Sequence, residues 1–317
     1  DIKFFEGKKV ALVCGKNYHL SDGDTDYEFI VKENFFDDGI TPDDFLDFIE
    51  PITHGEMNCS LIVYDKKTIR HDFVKAGKDF CAVCDDVMLE KYVVDYTQKE
   101  VDIYGALERY GLDTKTPAAS LLMLHEKYCA DMREQETESL YRDVELPLCD
   151  VLYEMEIAGF AIDAMALDSA SVVYRERIGA LSDEIKKLAG VDFNINSTKQ
   201  LGEILFEKLG LKHGKKTKTG YSTNAEVLEA MADENPIIPL ILKYRQLSKI
   251  ASTYVDGFRP LIDRSSGLIH TIFNQTVTST GRLSSKEPNL QNIPVRDDEG
   301  KEIRKFFVPR DKDRILV

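Results

Sequence analysis

Short apolar runs alternate with amphipathic stretches over the first 135 residues, which predicts an α/β domain. Residues 9–14 (KVALVC) and 60–64 (SLIVY) are apolar runs of strand length, and residues 27–31 form a third run after a turn at 22–24. Helices are expected over 41–50 and 85–94. The first of these begins with Thr41 as its cap and Pro42 in its first turn, a pairing that favours a helix start.

From about residue 137 the apolar positions recur at intervals of three and four, which predicts helices. The first predicted helix has an apolar face and ends at Gly159; that face comprises Val144, Leu148, Val151, Leu152 and Met155. Further helices are expected over 166–188, 199–209, 224–232 and 239–258, with a basic loop at 212–218. Residues 269–277 alternate in polarity as a half-exposed strand, a short helix follows at 302–306, and 314–317 resemble the start of a strand.

The composition excludes a membrane span, because no window of 18 residues is uninterruptedly apolar. The first residues carry no secretory signal, so a cytoplasmic location is expected. The net charge of −15 argues at first against a nucleic-acid partner. However, residues 1–150 carry 33 acids and 17 bases, whereas residues 151–317 carry 23 acids and 24 bases. A polyanion would therefore bind to the second half.

The six cysteines are expected to be reduced, as in a cytosolic protein. Cys81 and Cys84 form a lone CxxC. A structural zinc site would need a second ligand pair, and His125 does not have the required spacing. Two small, partly buried residues at a helix start are the simpler interpretation, and a redox role is the alternative.

The stretch 278–296 contains two arginines and three amide side chains within a turn of short hydrogen-bonding residues. These side chains suit contacts with phosphate, sugar and base edges. A polar surface loop whose amides bind its own backbone is the alternative interpretation.

This stretch, TGRLSSKEPNLQNIPVR at 280–296, closely resembles the start of the palm in family A DNA polymerases, the bacterial DNA polymerase I type. Two further segments resemble the thumb of that family in the right order: FNINSTKQL at 193–201 and YRQLSK at 244–249. The resemblance is strong over 137–317 and weaker over 1–136. It implies a degenerate ribonuclease H-like 3′–5′ exonuclease domain (1–136), a mainly α-helical thumb (137–262) and the first β-strand part of a palm (263–317).

The resemblance also implies roles for individual residues. Arg282 matches an arginine that reaches the minor groove at the primer terminus, where purine N3 and pyrimidine O2 acceptors check pairing without reading sequence. Arg296 matches a residue near the incoming nucleotide. The other residues implied to bind DNA lie near the terminal pairs or on the thumb: Asn289, Gln291, Asn292, Arg245, Lys249, Thr253, Ser197, Thr198 and Lys199. Ser197 is equally suited to be an ordinary helix cap.

Exonuclease activity is not expected, because the carboxylates that would hold two metal ions are missing. No Asp-x-Glu precedes Lys9, no Tyr-x-x-x-Asp is found near the end of the domain, and Asp65 alone falls where a second carboxylate could lie. The family's polymerase uses two Mg²⁺ ions held by palm aspartates. The first of these is expected just after Val317, so this chain should hold no metal ligand and no catalytic residue.

The leading hypothesis is thus a part of a template-directed DNA polymerase for replication and repair, monomeric and nucleoid-associated. Its partners would be primer-template duplex DNA and dNTP, with no membrane. A catalytically incomplete DNA-binding module is the alternative, and a 3′–5′ exonuclease is a weaker one.

Overall fold

The computed structural model of the chain describes residues 2–32, 37–97, 102–212, 216–217, 220–294 and 298–310. Contacts between Cα atoms divide the chain into two compact units. Unit 1 comprises Asp1–Ala158 and Ile272–Lys286, and unit 2 comprises Gly159–Thr271 and Glu287–Val317. Within the described residues, no helix has both the length and the apolar composition that crossing a membrane requires.

Unit 1 contains a five-stranded mixed sheet. In chain order its strands are β1 (Lys9–Cys14), β2 (Tyr18–Ser21), β3 (Asp26–Phe29), β4 (Ser60–Val63) and β5 (Cys84–Asp86). Their order across the sheet is β3-β2-β1-β4-β5. Strands β1, β4 and β5 run parallel, whereas β2 is antiparallel to both of its neighbours. The parallel part confirms the α/β pattern that the apolar runs predict.

Helices cover both faces of this sheet because successive side chains of β1 point to opposite sides. Val10 and Leu12 pack in one core with α1 (Pro42–Thr53) and α2 (Lys66–Lys75). Ala11 and Val13 pack in the other core with three helices, α3 (Val87–Val94), α4 (Ile103–Arg109) and α5 (Pro117–Glu134).

The structure differs from the sequence predictions for this unit at several places. The strand Tyr18–Ser21 was not predicted, and the strand expected at 27–31 is Asp26–Phe29. The helix expected over 85–94 begins only at Val87, because the Asp86 carboxylate caps it by accepting the backbone N–H of Met88. Residues Cys84–Asp86 pair with β4 instead, so Cys84 lies in a strand and Cys81 is exposed.

The predicted apolar face before Gly159 is also partly wrong. A helical turn, α6 (Glu138–Leu140), and π-helical residues Tyr141–Glu145 precede α7 (Leu146–Ala158). The buried residues of α7 are Cys149, Leu152, Tyr153 and Glu156, whereas Val144, Val151 and Met155 are exposed. The buried face thus includes a carboxylate that an apolar periodicity cannot reveal. The predicted helix end at Gly159 is confirmed: this residue has φ +59°, and a Cβ would lie 2.9 Å from the Ile269 carbonyl oxygen.

Unit 2 is built on long helices. Its first elements are β6 (Phe160–Ile162), α8 (Ala164–Ala189), α9 (Thr198–Gly202), β7 (Lys216–Thr217), β8 (Gly220–Tyr221) and α10 (Ala225–Glu229). The run that follows comprises α11 (Ile237–Ile250), π-helical residues Ala251–Val255 and α12 (Asp256–Phe258). The last are β9 (Leu268–Ile269), α13 (Asp298–Arg304) and β10 (Phe307–Val308). The helices predicted at 166–188 and 239–258 are therefore confirmed.

The single strand predicted over 269–277 is divided in two. Leu268–Ile269 pairs with β6 in unit 2, whereas Ile272–Asn274 pairs antiparallel with Ser284–Lys286 in unit 1. The interruption lies where the partner strand changes, and the hydroxyl of Thr271 donates to the Pro288 carbonyl there. The helix predicted at 302–306 is Asp298–Arg304, and the strand predicted at 314–317 lies outside the described residues.

Candidate nucleic-acid interface

Arg282 lies on a hairpin of unit 1 formed by Ile272–Asn274, Ser284–Lys286 and the loop between them, which we call the Arg282 hairpin. The turn before Arg282 requires a glycine, because Gly281 has φ +73° in the left-handed region. The hydroxyl of Thr278 donates to the carbonyl oxygen of Arg282 and closes this turn. The Arg282 side chain is exposed, so its guanidinium is accessible to a ligand.

The buried carboxylate of Glu156 holds the first strand of the hairpin. Its Oε1 accepts the backbone N–H of Phe273 at 2.6 Å, and Oε2 contacts His71 Nε2 at 2.6 Å. The Lys67 ammonium also donates to this carboxylate, and it donates to the Phe273 carbonyl oxygen at 2.7 Å. Both backbone polar groups of Phe273 are therefore fixed by charged partners.

This arrangement favours the ionised form of Glu156. Burial by itself raises the pKa of this carboxyl, but hydrogen bonds from His71, Lys67 and the Phe273 N–H outweigh burial and lower it below its ordinary value. Charge-assisted hydrogen bonds of this kind are about twice as strong as neutral ones. The hairpin strand is thus held by an ionic cluster of Lys67, His71 and Glu156, which we call the hairpin anchor.

Two further contacts fix the rest of the hairpin. The side-chain amide of Gln275 donates to the Glu145 carbonyl oxygen at 3.0 Å and to its carboxylate at 2.9 Å. The hydroxyl of Tyr92 donates to the Thr278 carbonyl oxygen at 2.8 Å. Sequence reasoning missed all of these supports, since their partners lie more than a hundred residues away in the chain. Glu156 itself left no signal either, because the apolar periodicity of its helix does not reveal a buried acid.

The amide residues near 290 lie in unit 2. The Asn289 side chain caps a 3₁₀ turn, Leu290–Asn292, by accepting the Gln291 backbone N–H at 3.0 Å. Leu290 and Ile293 pack into the apolar core, whereas Asn289, Gln291 and Asn292 are exposed. The hydroxyl of Tyr254 donates to the Asn292 carbonyl oxygen and joins this segment to the long helical run.

That helical run carries three of the predicted DNA-binding residues at intervals of four. Lys249 and Thr253 are exposed, and Thr253 directly precedes Tyr254. Arg245 differs, because it is half-buried and its guanidinium donates to the carbonyl and hydroxyl oxygens of Thr223. Burial lowers the pKa of Arg245, which marks its desolvated position. The structure thus gives Arg245 a structural contact that the sequence did not suggest.

The predicted phosphate site at Ser197 coincides with a helix N-terminus. The Ser197 hydroxyl accepts the backbone N–H of Gln200 at 3.4 Å, so this residue is a helix cap. Thr198 and Lys199 follow it and are exposed. Arg296 lies outside the described residues. In the basic loop at 212–218, Lys212 is exposed, and positions 213–215 and 218 also lie outside the described residues.

The carboxyl ends of β1, β4 and β5 are where an α/β sheet would hold ligands. Asp65 caps α2 there, with its carboxylate on the Thr68 N–H and hydroxyl. Asp86 is fully buried and accepts the backbone N–H groups of Asp65, Lys66 and Met88. Burial and the nearby Asp65 raise the pKa of Asp86 to about 7. Both carboxylates therefore serve the local backbone.

Comparison with known proteins gives the family. A model of DNA polymerase family A matches residues 164–317. DNA polymerase I of Caldicellulosiruptor bescii is 46% identical over 258 residues, which cover 78% of this chain and 30% of that protein. DNA polymerase I of Lactococcus lactis subsp. lactis is 53% identical over 257 residues, covering 73% of this chain and 29% of that protein. The chain therefore spans about 30% of the length of these relatives.

A solved structure agrees with these matches. The POL domain of Pol1 from M. smegmatis, in complex with DNA primer-template and dNTP, superimposes with a TM-score of 0.81 at 28% identity. The match covers 96% of this chain and 55% of that chain. Together these likenesses confirm the resemblance that the motifs at 193–201, 244–249 and 280–296 indicate. The chain belongs to DNA polymerase family A.

Proposed function

We propose that this chain is the part of a template-directed DNA polymerase that binds the primer-template duplex and contacts the primer terminus. The observation that carries the proposal is an exposed Arg282 on a hairpin whose backbone is fixed by buried charged groups. A minor-groove contact that tests base pairing needs a donor in a fixed position, since misplacement would abolish its discrimination. Relatives named DNA polymerase I support the activity.

The proposal assigns the exposed polar groups of unit 2 to the DNA backbone and terminal base pairs. Lys249 would meet phosphates as an unburied cation, and the amides of the 3₁₀ turn would meet the primer strand. The full proposed set is Arg282, Asn289, Gln291, Asn292, Arg245, Lys249, Thr253, Ser197, Thr198 and Lys199, with Arg296 near the nucleotide. Arg245 would use guanidinium N–H groups that do not bind Thr223.

We also propose the finer division of the chain into an inactive exonuclease-like domain (1–136), a thumb (137–262) and the start of a palm (263–317). The α/β sheet with capped or buried carboxylates supports the first, and the long helical run supports the second. The proposals of a monomer and of a cytoplasmic, nucleoid-associated location rest on the family resemblance.

The two Mg²⁺ ions of the proposed reaction are not assigned to residues of this chain. Among the described residues, the one close group of three or more potential metal ligands is Glu90, His125 and Cys129. Mg²⁺ prefers an octahedral set of oxygen ligands, which this group does not offer.

The test is Arg282→Ala in the full-length polymerase. Losing a charge-assisted hydrogen bond that acts in the transition state costs about 1.5–3 kcal/mol, which corresponds to roughly a 10- to 150-fold lower kcat/KM for primer extension. Arg264→Ala, at another exposed arginine, is the matched control and should extend primers normally. Unchanged extension by Arg282→Ala, with circular dichroism showing an intact fold, would remove the proposed role.

A further inference from the structure

Three potential metal ligands meet between two helices of unit 1. Glu90 lies on α3, and His125 and Cys129 lie one turn apart on α5. Glu90 Oε1 is 2.8 Å from His125 Nδ1, and Cys129 Sγ is 3.8 Å from the same nitrogen. One ligand atom from each of the three residues lies within 4.8 Å of the others.

Hydrogen bonds alone do not satisfy this cluster. Glu90 is 0% exposed, and its Oε2 has no hydrogen-bond partner among the described residues. Burying a carboxylate oxygen without a partner is energetically unfavourable, because the oxygen loses its hydrogen bonds to water and forms none in the protein. A Glu90–His125 hydrogen bond accounts for Oε1 but leaves Oε2 without a partner among the described residues.

The spacing of the three atoms suits a tetrahedral cation. With Zn–N of about 2.0–2.1 Å, Zn–S of about 2.3 Å and Zn–O of about 2.0–2.2 Å, tetrahedral angles put N and S about 3.5 Å apart and N and O about 3.3 Å apart. The observed N–O separation is 2.8 Å, so the carboxylate and the imidazole need to move apart only slightly. Cys129 Sγ lies 3.8 Å from Nδ1 and 3.7 Å from Nε2, nearly equidistant from the two ring nitrogens, so this side chain has to rotate towards the Nδ1 edge of the ring to become a ligand. Nitrogen, sulfur and oxygen together are the ligands of Zn²⁺ rather than of Mg²⁺.

The cluster also has an opening. His125 and Cys129 line a cavity of about 460 Å³, together with Asp85 and Arg142. Three cations line this cavity: Arg142 is paired with Asp85 at 3.4 Å and with Glu138 at 3.2 Å, Lys9 is paired with Glu126 at 3.6 Å, and Arg133 is the third. A cation can reach the cluster through this cavity, and a water molecule can take a fourth coordination position.

We propose that Glu90, His125 and Cys129 bind one Zn²⁺ ion, with water as the fourth ligand. The ion would join α3 to α5, and the carboxylate of Glu90 can rotate to present Oε2, the oxygen that has no hydrogen-bond partner among the described residues, to the ion. Binding would release protons, because the thiol must become a thiolate and the imidazole must present a free nitrogen. The site is separate in chemistry and in residues from the proposed DNA contacts.

The test is direct metal binding by the purified chain after treatment with a chelator. Isothermal titration with Zn²⁺ should show one site, and Co²⁺ as a spectroscopic probe should give a thiolate-to-cobalt charge-transfer band with tetrahedral d–d absorption. Cys129→Ser is expected to weaken Zn²⁺ binding at least about 100-fold, since loss of an outer-shell partner alone costs about 10- to 100-fold. Cys81→Ser, at an exposed thiol, is the matched control and should bind as the wild type does.

A second variant, Glu90→Gln, guards against a folding defect in a single variant, and circular dichroism of each metal-free variant gives the folded fraction. Zn²⁺ should also raise the Tm of the wild-type chain, because a ligand that binds only the folded state stabilises it. Tm should not rise for Cys129→Ser. Absence of a one-equivalent site in the wild type, or equal binding by Cys129→Ser and the wild type, would overturn the proposal.

Discussion

Replacing Glu156 by glutamine tests whether the hairpin anchor holds the Arg282 hairpin. The substitution keeps the shape of the side chain and removes its charge. Glutamine can still accept one hydrogen bond from the Phe273 N–H, but its NH₂ group then faces Lys67 or His71, which are both donors when charged. At least one cation is thus left without its counter-ion.

The magnitude follows from the burial of each partner. The Glu156 side chain is 2% exposed, whereas those of Lys67 and His71 are 12% and 26% exposed. Breaking a fully buried ion pair by removing one partner costs about 3–5 kcal/mol. Because water reaches the two cations in part, we expect Glu156→Gln to lower the free energy of unfolding by about 2–4 kcal/mol.

Urea unfolding followed by circular dichroism measures this loss, and amide hydrogen exchange locates it. Exchange should speed up across 272–286, since the Phe273 N–H loses its charged acceptor. Glu154→Gln is the matched control on the same helix, because that side chain is 68% exposed and its pair with Arg70 is 3.4 Å long. An exposed pair of this kind contributes about 0–1 kcal/mol.

A double substitution separates the ion pair from simple packing. Lys67→Met combined with Glu156→Gln removes both charges. The double variant should therefore lose less free energy of unfolding, by at least about 1 kcal/mol, than the sum of the losses of the two single variants. The reasoning is refuted if Glu156→Gln changes the free energy of unfolding no more than Glu154→Gln does. It is also refuted if exchange in the hairpin is unaltered.

The remaining predictions concern unit 2. Arg245→Ala should lower the free energy of unfolding by about 1–3 kcal/mol in urea titrations, because the buried oxygens of Thr223 lose their donor. Lys249→Ala should leave unfolding unchanged, weaken duplex DNA binding alike for all sequences and reduce its salt slope by about 1. Glu299 has its pKa lowered to about 2 because hydrogen bonds from Arg177, Tyr174 and Lys243 outweigh its burial. Ionised Glu299 should therefore stabilise the folded state above pH 4.5, its ordinary pKa, and this stabilisation should disappear as the pH falls from there towards 2. In acid-unfolding curves, the Glu299→Gln variant should lack this pH-dependent contribution. Ser197→Ala should cost about 1 kcal/mol in thermal unfolding as a lost helix cap.

The parts of the fold that the sequence predicted are those with strong local signals. Strand Lys9–Cys14 is a continuous apolar run, and α8 ends at Gly190, which adopts the left-handed conformation with φ +65°. The failures have equally definite causes. Strand Tyr18–Ser21 escaped prediction because it contains His19, whose ring pairs with Asp26 at 3.0 Å and so tolerates burial.

The candidate site likewise has features that the sequence predicted and features that it did not. Which side chains are exposed at 282, 289 and 291 follows from a motif that is contiguous in the chain. The contacts that fix the hairpin cannot be predicted from that motif, because Lys67 and Phe273 are 206 residues apart in sequence and meet only in the folded state. The Arg245 contact with Thr223 is another case, since the family resemblance implied a DNA contact for this residue and gave no sign of its bond to Thr223. A motif therefore predicted the exposed groups but none of the buried polar contacts beneath them.

These contacts give the acidic first part of the chain a physical role without metal chemistry. Asp65 and Asp86 accept hydrogen bonds from local backbone groups. The pKa of Glu156 is lowered under the strand that leads to Arg282, and its partners Lys67 and His71 come from α2 of the same unit. Since a buried carboxylate without these cations would be strongly unfavourable, the hairpin depends on α2 for its position. The buried carboxylate beneath the hairpin is thus bound by side chains of α2, while the arginine on the hairpin remains exposed.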